Sequence, residues 1–541
     1  MITIATIVQF KVSLIGGCSC FSFGEIYDKN KIEEIKKHIY DDLKNNIPNL
    51  QSYKHFDYPL TQNSFSRNLK NIYENNDDYI KHHGFIPLIR VVISNTKYVT
   101  DKDKNNEVYR HLKNKNRNIS LTSHKDALIY LFYGRVLSEC YEEFLKDKEY
   151  SNSVIAYRKG NSNIKGAKRV MDFIWKSKDC WIIKGDFSSF FDNLNHHLLY
   201  GNCKEVLSFV DGGKTLSSDW KTVFKQITDF RYVNEKNVKD VCKSFGNKQY
   251  VNDRKQLGQL IHNKKLKIKK NYKGIPQGTS LSAVLANIYM IKFDEWANEL
   301  SKKYNGLYQR YSDDFVFVIP KNDIENNDEI QKLKNEIIQK SKKGLYLKIK
   351  KEKTKLLKFS NGKILDEKDE EKIFSYLGFS FNGNKVYLRS GTVYRFWYRG
   401  RKRSKIMARK YNERRLYKLS GQDDSIKAKY LKLRFPDSSE SIEKYIGNEF
   451  DIEANAFDNE WGITGKKSFT KMFLINIPLM MQNMMWYADR ADEKFKQKID
   501  GCNDIYNVDI DRSIRQIIGR IQREYHNNKE KEAKKTDELL K

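Results

Sequence analysis

Apolar positions follow two kinds of pattern along the chain. Between His124 and Leu145 they recur at helical spacing, through Leu128, Leu131, Val136 and Leu137, and predict one helix. From Cys180 onward, short apolar runs bounded by turns take over. WII (Trp181–Ile183), YQRY (Tyr308–Tyr311), FVFVI (Phe315–Ile319) and FSYLGFSF (Phe374–Phe381) read as strands, with helical segments between them. Such interleaving predicts an α+β fold. Near the end, Ile510, Ile514, Ile517, Ile518, Ile521 and Tyr525 share a helical face, with Asp509 as the expected cap and a frayed, charged tail after Asn527. The polar runs Asn75-Asn76-Asp77-Asp78 and Asp101-Lys102-Asp103-Lys104 predict turns. With seven prolines and no Pro- or Gly/Ser-rich linker, the subdomains are expected to be contiguous.

A chain of 541 residues, 39% hydrophobic, is long enough for several packed subdomains. Its 100 Lys+Arg against 69 Asp+Glu give a formal charge of +31, which points to a polyanionic partner, although a Lys- and Asn-rich codon bias would produce part of that excess. The seven cysteines (Cys18, Cys20, Cys140, Cys180, Cys203, Cys242 and Cys502) are odd in number and scattered. That argues against a disulfide framework or a zinc site and suits a reducing cytoplasm. Met1 to Gly24 is rather apolar, but Lys11 interrupts it and no basic segment precedes it. A buried strand, or an extension from an upstream start codon, is expected there rather than a membrane anchor.

Three segments carry candidate chemistry. In Tyr311-Ser312-Asp313-Asp314-Phe315, two adjacent acids sit between strand-like residues. An ordinary turn would give the same pentapeptide, but paired acids at an apolar hairpin are costly unless a cation neutralises them, and Mg²⁺ prefers carboxylate oxygens. In WIIKGDFSSFFDNLNHHLL, Asp186 closes an apolar strand just before a helical pattern. It could cap that helix, with Ser188 and Ser189 as rivals. Two metals a few ångströms apart, however, need bridging carboxylates, and Asp186 with Asp313 would supply them, Asp314 being auxiliary. The third segment, GIPQGTSLSAVLANIY (Gly274–Tyr289), has two glycines around Pro276-Gln277 that permit close backbone approach to a ligand.

In this order the three segments resemble motifs A, B and C of reverse transcriptases. LYLKIKKEKTKLL (Leu345–Leu357) resembles motif D, and YLGFSF (Tyr376–Phe381) motif E, the primer grip. NRNISLTSHKDALIY with Arg117, and VIAYRKGNSNIKGAKRV with Arg158, resemble the two fingers motifs. Ala283 and Thr279 depart from the Pro and Ser common in the family. The resemblance implies a right-hand polymerase fold of fingers, palm and thumb with a helical C-terminal region. Its divisions are 1–110 as an N-terminal extension, 111–385 as fingers and palm, 386–470 as a basic helical thumb and 471–541 as a helical extension.

By the same resemblance the chain is expected to be an RNA-directed DNA polymerase. Asp186, Asp313 and Asp314 would bind two Mg²⁺ ions, Mn²⁺ being an alternative, with the Phe187 carbonyl as a further ligand. Arg158, Lys159 and Arg117 would clamp the dNTP, Phe191 would exclude a 2′-OH, Gln277 would meet the template, and Lys353 would protonate pyrophosphate. Arg401, Lys402 and Arg403, in RFWYRGRKRSKIMARK, would track a duplex backbone. The expected partners are an RNA template, which a dedicated noncoding RNA could supply, the DNA product and dNTPs; a homo-oligomer is compatible and no membrane is implied. AYRKGNSN and SAVLANIYM are most similar to the bacterial abortive-infection and defence-associated enzymes. An RNA-dependent RNA polymerase, template-independent or protein-primed synthesis, and a non-catalytic maturase-like scaffold are the alternatives.

Overall fold

The computed structural model describes residues 31–50, 52–102, 108–213, 215–242, 248–322, 324, 326–349, 354–420 and 478–540. Met1 to Gly24 and Lys353 lie outside them. In chain order the elements begin with α1 (Lys31–Asn45), α2 (Gln62–Glu74), α3 (Asn76–His82), β1 (Leu88–Lys102), β2 (Val108–Leu121), α4 (His124–Leu145), α5 (Asn163–Ser177) and β3 (Cys180–Asp186). Next come α6 (Phe190–Asn193), α7 (His196–Asp211), α8 (Ser218–Thr228), β4 (Arg231–Asn234), α9 (Glu235–Val241), α10 (Arg254–His262) and β5 (Lys269–Lys270). They are followed by α11 (Ser280–Tyr289), α12 (Ile291–Lys303), β6 (Leu307–Tyr311), β7 (Asp314–Pro320), α13 (Asn327–Leu345), β8 (Lys355–Ser360) and β9 (Lys363–Leu365). The last are β10 (Phe374–Tyr376), β11 (Phe379–Phe381), β12 (Lys385–Leu388), α14 (Ser390–Ser420), α15 (Pro478–Phe495), β13 (Asn507–Asp509) and α16 (Asp511–Leu540).

The described residues pack into two units, one drawn from 1–162 and 182–356, the other from 163–181 and 357–541. Residues 31–102, expected as an extension, are thus part of the first unit. There α4 packs against α7 and α11. It begins where the periodicity predicts because its end is fully capped. Ser123 Oγ accepts from the Asp126 N–H, while the Asp57 carboxylate accepts from those of His124 and Lys125, at 3.1 and 3.2 Å. β6, β7 and β3 lie side by side, and a second sheet runs β2-β1-β4-β5. The run Asn75–Asp78 is not a loop: Asn75 joins α2 to α3, and the next three residues are α3's first turn. Asp101 and Lys102 continue β1.

In the second unit β10, β11, β12 and β13 form one sheet and β8–β9 a hairpin. FSYLGFSF is two strands rather than one, because Leu377 and Gly378 both take positive φ and turn the chain between them. The late helix starts at Asp511, two residues beyond the expected cap. Asp509 instead pairs in β13 opposite Tyr387 and binds Lys385 at 2.5 Å, and the carboxylate of Asp492 receives the N–H groups of Ile510 and Asp511. Nor does that helix end near Asn527. It continues to Leu540 because α14 lies along it: Asn412 donates to the Lys529 carbonyl, and Thr536 is buried. Cys140, Cys180, Cys203 and Cys242 are buried and, like Cys502, unpaired. No helix among the described residues is long and apolar enough to cross a membrane.

Candidate active site

The β6–β7 hairpin turns on Ser312 and Asp313, Tyr311 facing Asp314 in register. Ser312 has φ +58°, a conformation uncommon for a non-glycine residue. Its surroundings enforce it. The Ser312 carbonyl accepts from Arg310 Nη1 at 3.0 Å, and its hydroxyl meets Tyr157 Oη at 3.2 Å. Arg310 is fully buried and grips Asp294 of α12 with two N–H groups, at 2.8 and 2.6 Å, while also donating to Asn287 of α11 at 3.2 Å. Burial alone would lower the guanidinium pKa, but the Asp294 carboxylate more than reverses that and holds it above its usual value. Asn287 in turn donates to the Ala156 carbonyl, and Ile155 N–H to that of Arg310. One buried cation therefore ties the turn to two helices and to the segment from Val154 to Tyr157.

Asp186 ends β3, the strand beside β7. The next residue, Phe187, donates its N–H to the Asp313 carbonyl at 3.0 Å, so the end of β3 is pinned to the acidic turn. The Phe187 ring is buried among Phe190, Phe293 and Phe315 and forms an apolar floor. Gly185 leaves room for that floor, since a Cβ there would lie 2.4 Å from Phe315 Cζ. Asp186, Asp313 and Asp314 are each half-buried at this end of the sheet. Among the described residues no group of three or more His, Cys, Asp and Glu already converges as a metal cage. The donor set is nevertheless all hard oxygen, carboxylates on adjacent backbones joined by a hydrogen bond, and that chemistry fits Mg²⁺.

Gly274 and Ile275 donate N–H groups to the carbonyls of Leu194 and Phe191, in the segment that follows β3, at 2.9 and 2.8 Å. The loop can come this close only because Gly274, at φ +75°, has no side chain: a Cβ would lie 2.4 Å from the Phe191 carbonyl oxygen. Gly274→Ala is therefore expected to cost about 1–2 kcal/mol for the backbone conformation alone. It should also shift Phe191, so the KM of a substrate that touches this side chain should rise beyond what the lower melting temperature explains. A variant with unaltered KM would show that the loop does not position Phe191. Phe191 is half-buried, edge-on to the buried Phe190 at 5.5 Å. Gln277 is half-buried and its carbonyl accepts from Ser120 N–H on β2 at 2.8 Å.

The cations expected to clamp a nucleotide are placed differently from one another. Arg158 is engaged: Nε and Nη2 fork onto Glu142 at 2.9 and 2.7 Å, and Nη1 reaches the carbonyls of Ser151 and Val154. Lys159, two residues past Tyr157, and Arg117, opposite Ile93 in β2, are exposed. In the second unit Arg401 lies over Trp397 and faces Glu524 at 3.5 Å, while Lys402 and Arg403 are exposed on α14. Sequence reasoning missed Arg310 and Asp294. The available signal was a charged residue in the middle of the apolar strand YQRY.

The family described as reverse transcriptase (RNA-dependent DNA polymerase) matches residues 102–381. No curated protein matches. Among solved structures, similarity extends to apo telomerase of Candida tropicalis truncated from its C-terminal domain, at 16% identity and TM-score 0.33, covering 57% of this chain and 57% of that one. Telomerase of the same organism in complex with a fragment of telomeric RNA is 14% identical at TM-score 0.36, over 87% of this chain and 68% of that one. The chain thus spans little more than half of the first of these. The family match covers more than half of the chain and includes Asp186, the loop from Gly274 and the Asp313-Asp314 turn. The chain belongs to the reverse transcriptase (RNA-dependent DNA polymerase) family, with its right-hand polymerase fold.

Proposed function

We propose that this chain is an RNA-directed DNA polymerase that adds dNTPs to a 3′ end at the Asp186–Asp313–Asp314 site. The observation that carries this reading is the Phe187–Asp313 backbone hydrogen bond, which brings a strand-end acid beside an acidic turn. Asp186 and Asp313, with Asp314 and the Phe187 carbonyl as auxiliaries, would hold two Mg²⁺ ions. Bound there, the ions supply activation of the 3′ oxygen and neutralisation of the leaving pyrophosphate. The chain's own residues do the rest. The buried Arg310 pair fixes the turn, Lys159 and Arg117 offer solvent-exposed charge to the triphosphate, and Gln277 meets the templating nucleotide. Arg158 is assigned to holding the loop through Glu142, since it would have to release that carboxylate to reach a phosphate. Lys353 is proposed as the proton donor, and Arg401, Lys402 and Arg403 as duplex contacts. On the form of AYRKGNSN and SAVLANIYM, we place the chain among antiphage defence enzymes.

Phe191 tests the sugar specificity of this reading. Primer extension on an RNA template with dNTPs or rNTPs should show Phe191→Val admitting rNTPs on the order of tenfold to a hundredfold better, with little loss of dNTP use. Unchanged discrimination would make Phe191 a packing residue.

A further inference from the structure

We propose that strand β5 and the residues around it, 264–273, form a binding surface for single-stranded nucleic acid outside the catalytic turn. Between His262 and Gly274 the sequence holds six lysines, Lys264, Lys265, Lys267, Lys269, Lys270 and Lys273, and no acid. All six are exposed. The apolar residues between them face the other way. Leu266 is buried with Phe56, Ile89, Val233 and Val238, and Ile268 packs against the same cluster. Folding therefore consumes the apolar positions and leaves the lysines outward. The backbone beneath them is fixed: Lys267 N–H binds Asn237 Oδ1 at 2.8 Å, and Asn271 N–H binds the Phe230 carbonyl at 3.0 Å.

The register concentrates this charge. β5 pairs antiparallel with β4, setting Lys270 opposite Arg231 and Lys269 opposite Tyr232. Like charges directly opposite each other weaken a strand pair. Asp229 binds Lys270 at 3.2 Å, but one carboxylate leaves the cluster strongly positive. Lysines on an edge strand can also serve to prevent edge-to-edge pairing. That role needs one or two charges on a two-residue strand, and it does not account for the aromatic beside them. Tyr272 is 78% exposed, with the Lys270 ammonium 5.5 Å from its ring. Closely spaced cations around a solvent-facing aromatic suit a strand whose phosphates need countercharge and whose unstacked bases need a face to stack on. A duplex offers no such bases. The surface stands on its own charge and geometry and does not require the polymerase reading.

The test is fluorescence-anisotropy binding by the full chain of an unstructured oligonucleotide of about 20 nucleotides, as RNA and as DNA, and of a blunt duplex, at several salt concentrations. The triple variant K265Q/K267Q/K269Q should weaken single-strand binding about tenfold and flatten the salt slope by about 2. Tyr272→Ala should weaken it several-fold with the slope unchanged. A loss confined to RNA identifies RNA as the ligand, and equal loss for both sugars identifies recognition through phosphate and base; either supports the proposal. Unchanged affinity and slope for both, or an equal loss on the duplex, would overturn it. Extension of a primer whose template overhang is only a few nucleotides long should be normal in the triple variant. If the unaltered chain synthesises no DNA at all, the polymerase reading fails while the binding result still decides this one.

Discussion

Asp313→Asn abolishes DNA synthesis and leaves the protein folded: that is the expected result at the acidic turn, with a loss on the order of a thousandfold or more. The substitution keeps the side chain's size and leaves the Asp313 carbonyl to accept from Phe187, so the turn's geometry persists. It replaces a half-buried carboxylate by an amide of the same shape, so the melting temperature should change by no more than a few degrees. Primer extension with Mg²⁺ and a thermal melt on the same preparation read the two effects separately. Full activity would remove Asp313 from the metal site. Loss of activity together with loss of folding would leave the role to be read from Asp186→Asn. In bacteria challenged with phage, the same variant at equal expression should lose protection if the defence assignment holds.

What the sequence made legible, and what it did not, divides along contact range. The acids, the strands carrying them and α4 follow from local pattern, because a strand's alternation and a helix's apolar spacing are written within one element. Relations that join distant residues were not legible. Arg158 reads in the sequence as a triphosphate clamp, and nothing there shows its partner Glu142, which lies one α4 turn from the end of a helix sixteen residues upstream. The start of α16 is shifted to Asp511 by Asp492, which belongs to α15. β4 and β5 are four and two residues long, too short for a period to register, and they exist because β1 offers an edge to β4. Leu377 reads as one more apolar residue in a strand, and only its positive φ, shared with Gly378, divides β10 from β11.

The same long-range logic gives the largest expected stability effect. Asp294→Ala leaves the Arg310 guanidinium buried without its carboxylate, and a broken buried pair typically costs about 3–5 kcal/mol. Tyr308 Oη, which donates to the same carboxylate at 2.7 Å, loses its acceptor as well. Little of this loss should depend on pH through Arg310. Its folded pKa is raised above the usual value, so its contribution is fully present below the already strongly basic unfolded pKa and fades only as pH climbs beyond that through the folded value. Urea unfolding at pH 6 and pH 8 should therefore show the same deficit. The double variant Arg310→Met with Asp294→Leu separates packing from positioning. Replacing both charges by apolar groups of similar bulk should recover most of the stability. It should not restore synthesis, because the Ser312 carbonyl and Asn287 lose the donor that holds the left-handed turn beneath Asp313. Stability near that of the unaltered chain with kcat at least tenfold lower is the expected pair of results. An Asp294→Ala chain as stable as its parent, or a double variant of full activity, would show that the buried pair neither supports the fold nor positions the site.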